Sequence, residues 1–173
     1  MIIVLIGYMG SGKSSIGRRL SEKLDSKLID LDDFIIDKEK SSVKEIFESK
    51  GEAYFRKKET EYLQELLKLE KNVILSLGGG TPCFNDNMQH ILAAKNTTSI
   101  YLKASVSKLT DKLILKKSER PLIASIETKE DLHEFIGSHL SKRSPYYMQA
   151  EFQITTDGKT KKEVVKEILN LQQ

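Results

Sequence analysis

No run of 18 apolar residues occurs in this sequence, so none of it reads as a membrane span. The single cysteine, Cys83, excludes a disulfide framework, fits a reducing cytoplasm, and is plainly read as a small, partly buried residue. Tryptophan is absent, prolines number three, and five arginines stand against 23 lysines. Each arginine is therefore worth weighing singly. A net charge of +3, with acids and bases interspersed, leaves no stripe of the size nucleic acid requires. Repeats, low-complexity tracts and long linkers are also missing. The opening MIIVLIGYMG lacks a basic n-region and is too short for a signal peptide, so it reads as a strand.

What is present fits one domain: 173 residues, 39% hydrophobic and 31% charged. Strand-like runs fall at Ile2–Ile6, Lys27–Asp30 and residues 72–77, 98–103 and 151–155, with helical patterns between them. Ser42 with Glu45 and Thr160 with Glu163 read as capping boxes at helix starts. The alternation predicts an α/β fold, a parallel sheet with helices on both faces and ligands at the carboxyl ends of the strands. Residues 104–125 begin as a helix that Pro121 cannot continue, and residues 116–125 read as a mobile surface segment.

Residues 7–14, GYMGSGKS, satisfy G-x-x-x-x-G-K-[ST] between a strand and a helix. Glycines allow close wrapping of a phosphate, the loop amides converge on an anion, and the helix start adds its dipole. Gly10, Ser11, Gly12, Lys13, Ser14 and Ser15 are the predicted ATP-binding residues. Lys13 would reach the β- and γ-phosphates, and the Ser14 hydroxyl would ligate Mg²⁺.

The segment LIDLDDFI carries Asp30, Asp32 and Asp33. On an extended strand end, Asp30 and Asp32 would point to one side, one toward a Mg²⁺ water shell and the other toward a substrate hydroxyl. Asp33 is explained by a helix N-terminus alone. Arg56 lies early in an amphipathic helix and by pattern is no more than a solvated arginine. Gly78, Gly79 and Gly80 follow the third strand at the end where a ligand would lie, so their backbone can approach it closely. Arg120 in SERPLI and Arg143 in KRSPYY are suited to carboxylate or phosphate contacts.

Together, GYMGSGKSSIGRRL, LIDLDDFI, IFESKGEAYFRKKE, LSLGGG, SERPLI, KRSPYY and the late TTDGKT resemble the shikimate kinase family over nearly the whole chain. The resemblance implies a three-layer α/β/α fold of P-loop NTPase type, with about five parallel strands and a mobile lid. It implies one domain over residues 1–173, a substrate-binding helical part near residues 32–62 and the lid near residues 112–126. Its reaction converts ATP and shikimate to ADP and 3-phosphoshikimate, on the way to chorismate and aromatic amino acids. By position, Asp30 would serve Mg²⁺, Asp32 would bind shikimate hydroxyls and act as base, and Arg56 and Arg143 would grip the carboxylate. Gly79 and its neighbours would offer amides, and Arg120 would close over the transferring phosphoryl. An adenine-stacking arginine of many members is replaced by Lys112, Lys116 or Lys117, with residues 157–159 as the other wall. Ser76 stands where many phosphate-loop enzymes carry an acid. The partners expected are ATP and shikimate, without nucleic acid or membrane, for a cytoplasmic monomer. A gluconate-like or nucleotide kinase is the nearest rival, and a nucleotide-binding switch the rival of another class.

Overall fold

The computed structural model describes residues 1–117 and 122–171. Five strands, β1 (Ile2–Ile6), β2 (Lys27–Asp30), β3 (Val73–Ser76), β4 (Thr97–Lys103) and β5 (Phe152–Thr155), pair in the order β2-β3-β1-β4-β5, every pair parallel. Parallel neighbours need crossovers, which the helices supply: α1 (Lys13–Lys23), α2 (Leu31–Glu39), α3 (Val43–Leu66), α4 (Asn87–Ala93), α5 (Val106–Ile114), α6 (Lys129–Tyr147) and α7 (Lys161–Asn170). A short 3₁₀ turn occupies Thr81–Cys83.

The central strand explains its own composition. All five residues of β1 are buried, because both faces of the sheet are covered. Ile2, Val4 and Ile6 join the core beneath α2 to α6, while Ile3 and Leu5 join Ile16 and Leu20 of α1 and Val164, Val165 and Ile168 of α7. Each such side chain contributes about 1.5–3 kcal/mol relative to exposure. Helix α1 lies close on the sheet because Gly17 leaves room; a Cβ there would come within 2.8 Å of the Leu28 side chain.

Both predicted capping boxes form. Glu45 returns a carboxylate to the Ser42 amide at 2.7 Å, and Glu163 does the same for Thr160 at 2.7 Å. Register places Leu5 beside Ser76, and Ser76 beside Asp30, so β1, β3 and β2 end at one level. Two breaks shape the region above those ends. Gly51 interrupts α3 with φ +83° and ψ 168°, and Pro145 sits inside the last turns of α6.

Candidate active site

The chain leaves β1 directly into the glycine loop. Gly10 and Gly12 adopt φ +81° and +103°, conformations open to glycine, and no side chain caps the first turn of α1. That turn therefore presents its amides, and its positive dipole end, to the cavity above it. Lys13 curls back over the loop and donates to the carbonyls of Gly7 and Tyr8 at 2.7 and 3.0 Å. Helix α5 clamps the loop from outside: the Lys112 ammonium donates to the Gly10 carbonyl at 2.8 Å, and Leu113 packs 3.2 Å from where a Gly10 Cβ would lie. Ser11 is buried, and Ser15 donates to the Gly12 carbonyl at 3.1 Å.

A cavity of about 420 Å³ opens on these residues, lined by Gly10, Gly12, Lys13, Ser14 and Ser15, with Asp30, Asp32, Ser76, Gly78, Gly79, Lys112 and Lys116 opposite. A second cavity of about 300 Å³ adjoins it and is lined by Asp32, Arg56, Glu59, Gly78, Gly79 and Gly80, with Val43, Phe47, Phe55 and Leu122 as apolar wall. Met9, Asp32, Gly78 and Gly79 line both. Asp32 is thus the carboxylate at the junction.

Asp30 and Asp32 do not share an extended strand end. The strand stops at Asp30, whose carboxylate accepts from the Asp32 amide at 3.0 Å and caps α2; Asp32 is in the first helical turn. The two still meet in one cavity, through a cap rather than through a pleat. Asp33 is exposed, in keeping with a helix-terminus role. Burial raises the Asp32 pKa to about 6, helped by the charges of Asp30 and Glu59 and opposed by Lys13 and Arg56. A carboxylate so poised is a better proton acceptor near neutral pH than an ordinary aspartate.

Each glycine after β3 abuts a different functional group. A Cβ on Gly78 would lie 3.1 Å from an Asp32 oxygen. On Gly79 it would lie 3.1 Å from the Arg143 guanidinium; on Gly80 it would lie 3.0 Å from that of Arg56 and 3.4 Å from that of Arg143. Two guanidiniums thus converge on bare backbone, and guanidinium groups are chemically suited to bidentate contact with a planar carboxylate.

Arg56 is not the solvated arginine its pattern allows. Its side chain is 15% exposed, lies 3.9 Å from the Phe84 ring centre, and donates to Glu59 at 2.8 Å. Glu59 is 1% exposed and also accepts from the Thr81 hydroxyl at 2.6 Å, so it anchors the arginine to the turn after Gly80. Sequence reasoning missed Glu59 and Thr81, although the i,i+3 spacing of Arg56 and Glu59 was a usable signal. Cys83 is half-buried, and burial pushes its thiol up to about 11. Lys117 donates to the carbonyl of Ile126 at 2.7 Å, and Asp157 accepts from Ser105, so of the expected adenine contacts Lys112 and Lys116 face the phosphate cavity. Arg120 lies outside the described residues.

The oxygen donors near the phosphate loop are the Ser14 hydroxyl, Asp30, Asp32 and Ser76, whose buried Oγ has no hydrogen-bond partner among the described residues. No group of three or more His, Cys, Asp or Glu suited to a metal occurs among the described residues. So thin and hard a donor set fits Mg²⁺, which keeps much of its water and takes phosphate oxygens from a nucleotide. A larger cavity, about 810 Å³, lies around Met1, Leu67, His90 and Asn96 and contains none of the predicted residues. No helix among the described residues is long and apolar enough to cross a membrane.

The sequence profile of the shikimate kinase family matches residues 9–173. Shikimate kinase of Flavobacterium johnsoniae is 46% identical over 170 residues, covering 98% of this chain and 97% of its own. The crystal structure of shikimate kinase from Bacteroides thetaiotaomicron superposes with a TM-score of 0.89 at 33% identity, covering 99% and 97% of the two chains. Shikimate kinase from Acinetobacter baumannii, solved in complex with shikimate, gives 0.83 at 31%, covering 98% and 91%. With a profile match over residues 9–173, relatives alike over nearly the whole chain and a shared fold all in agreement, the chain belongs to the shikimate kinase family.

Proposed function

We propose that this chain transfers the γ-phosphoryl group of ATP to the 3-hydroxyl of shikimate, with the two joined cavities as its nucleotide and acceptor sites. The observation that carries the reading is the convergence of Arg56 and Arg143 on Gly80, one cavity beyond the phosphate loop, with Asp32 between them. A rival acceptor without a carboxylate has no use for that pair.

Phosphoryl transfer demands positioning and charge neutralisation more than covalent chemistry. The loop amides and Lys13 hold the β- and γ-phosphates. Lys13, held at rest by the Gly7 and Tyr8 carbonyls, has its charge beside the loop before substrate arrives and would donate to phosphate oxygens. Arg56 and Arg143 fix the ring through its carboxylate, which sets the hydroxyl in line with the γ-phosphorus. Asp32 orients that hydroxyl and takes its proton, a role supported by its raised pKa. Ser14 and Asp30, with Ser76 nearby, would hold Mg²⁺, which when bound neutralises phosphate charge. Arg120 is assigned to the moving phosphoryl by its place in SERPLI. Residues of about 32–62 are assigned to the acceptor-binding part and residues of about 112–126 to the lid. A cytoplasmic monomer is consistent with the lone, half-buried thiol and with exposed apolar residues that are scattered along the chain.

The test is ADP release from ATP and Mg²⁺ with shikimate, gluconate or a nucleoside monophosphate as acceptor. Release is expected with shikimate alone, and Arg56→Ala should mainly raise the shikimate KM. Release independent of any acceptor would favour a nucleotide switch and overturn the proposal.

A further inference from the structure

We infer that Tyr8 and His139 are positioning residues, and that their hydrogen bond ties the phosphate-binding loop to α6 and thereby fixes Arg143 beside Gly79 and Gly80, which line the acceptor cavity. The inference rests on the proposed role of Arg143. Tyr8 is the second residue of the glycine loop, yet its side chain is 1% exposed and turned away from the phosphate cavity. Its hydroxyl lies 2.8 Å from His139 Nδ1, and the two rings meet edge to face at 5.4 Å. Four residues along α6, on the same helical face, the Arg143 guanidinium lies 5.8 Å from the Tyr8 ring centre. One aromatic side chain therefore meets both the imidazole and the arginine.

The end of α6 needs outside support. Pro145 has no N–H, so the helix ladder lacks a bond two residues past Arg143. Tyr147 donates to the Gly79 carbonyl near that end, and His139, six residues before Pro145, pairs with Tyr8. His139 suits the position because burial, then the neighbouring Arg143 and Lys142 charges, lower its pKa to about 4. The neutral ring adds no second cation beside Arg143. The backbone of Tyr8 completes the link, since its carbonyl accepts from Lys13 at 3.0 Å. The loop that receives the nucleotide and the arginine that receives the acceptor are thus braced through one residue.

The test is steady-state kinetics of Tyr8→Phe, Arg143→Ala and the double variant, with unfolding midpoints as control. Tyr8→Phe removes one oxygen and keeps the ring. It should raise the shikimate KM about three- to tenfold, the worth of one hydrogen bond, with the ATP KM within about twofold and the midpoint nearly unchanged. In the Arg143→Ala background the same change should have no effect on the shikimate KM. His139→Leu should reproduce the loss, and His139→Asn, which keeps a polar atom near Nδ1, should recover most of it. An additive double variant, or a Tyr8→Phe effect confined to the ATP KM, overturns the inference while leaving the function standing. An Arg143→Ala enzyme with parental shikimate KM overturns the role of Arg143 itself, and the inference with it.

Discussion

Replacing Asp32 by asparagine should yield an inactive protein that is more stable than the parent. The carboxylate is partly buried at the junction of two cavities, near the charges of Asp30 and Glu59, and its pKa rises from 3.8 to about 6. The native state therefore binds the proton more tightly than the unfolded chain does, so stability falls as pH rises from about 4 to 6. Two pKa units correspond to about 3 kcal/mol of destabilisation at pH 7.5. Asparagine removes that penalty and forfeits the favourable charge in the first turn of α2, worth about 0.3–1 kcal/mol. A net gain of about 2 kcal/mol remains, or about 4–8 °C in unfolding midpoint for a chain of this length. Urea unfolding followed by circular dichroism at pH 7.5 and pH 4 measures it. Most of the gain should vanish at pH 4, where native Asp32 is already protonated. An asparagine variant no more stable than the parent at pH 7.5, or equally favoured at both pH values, would refute the reasoning.

Other substitutions separate binding from folding. Lys13→Ala should lower turnover by orders of magnitude, while circular dichroism shows the fold retained. Gly80→Ala should raise the shikimate KM at least about tenfold, since the atoms nearest its methyl are guanidinium nitrogens of Arg56 and Arg143. Glu59→Ala should cost about 1–3 kcal/mol and weaken shikimate binding, because it takes the buried acceptor from the Thr81 hydroxyl and leaves the Arg56 guanidinium with Glu52 alone; denaturant midpoints and acceptor KM report the two effects. Gly51→Ala should cost about 1–3 kcal/mol through backbone strain at φ +83°, with nothing within 4 Å for the methyl to strike.

Where function depends on neighbours in the chain, it was legible. The β1 run, the glycine loop and the start of α1 are contiguous, and both capping boxes close within four residues. Asp30 and Asp32 were legible as a pair but not in their geometry, because a side-chain cap at Asp30 ends the strand one residue before a pleat could align them. Arg56 looked solvated because its partners come from elsewhere: Thr81 fixes Glu59 from 22 positions away, and Phe84 covers the guanidinium. Tyr8 and His139 lie 131 residues apart, and only the packing of α6 over the loop brings them together.

The glycines that line the two cavities fall into separate kinds. Gly10 and Gly12 are set by backbone torsion, whereas Gly78, Gly79 and Gly80 have no positive φ and are set by what crowds them. A D-alanine, introduced by chemical synthesis, suits the first kind by handedness; at the second kind handedness disfavours it, and an L-methyl would press on a carboxylate or a guanidinium. Chirality thus distinguishes a loop shaped for a phosphate from a wall thinned for a ring.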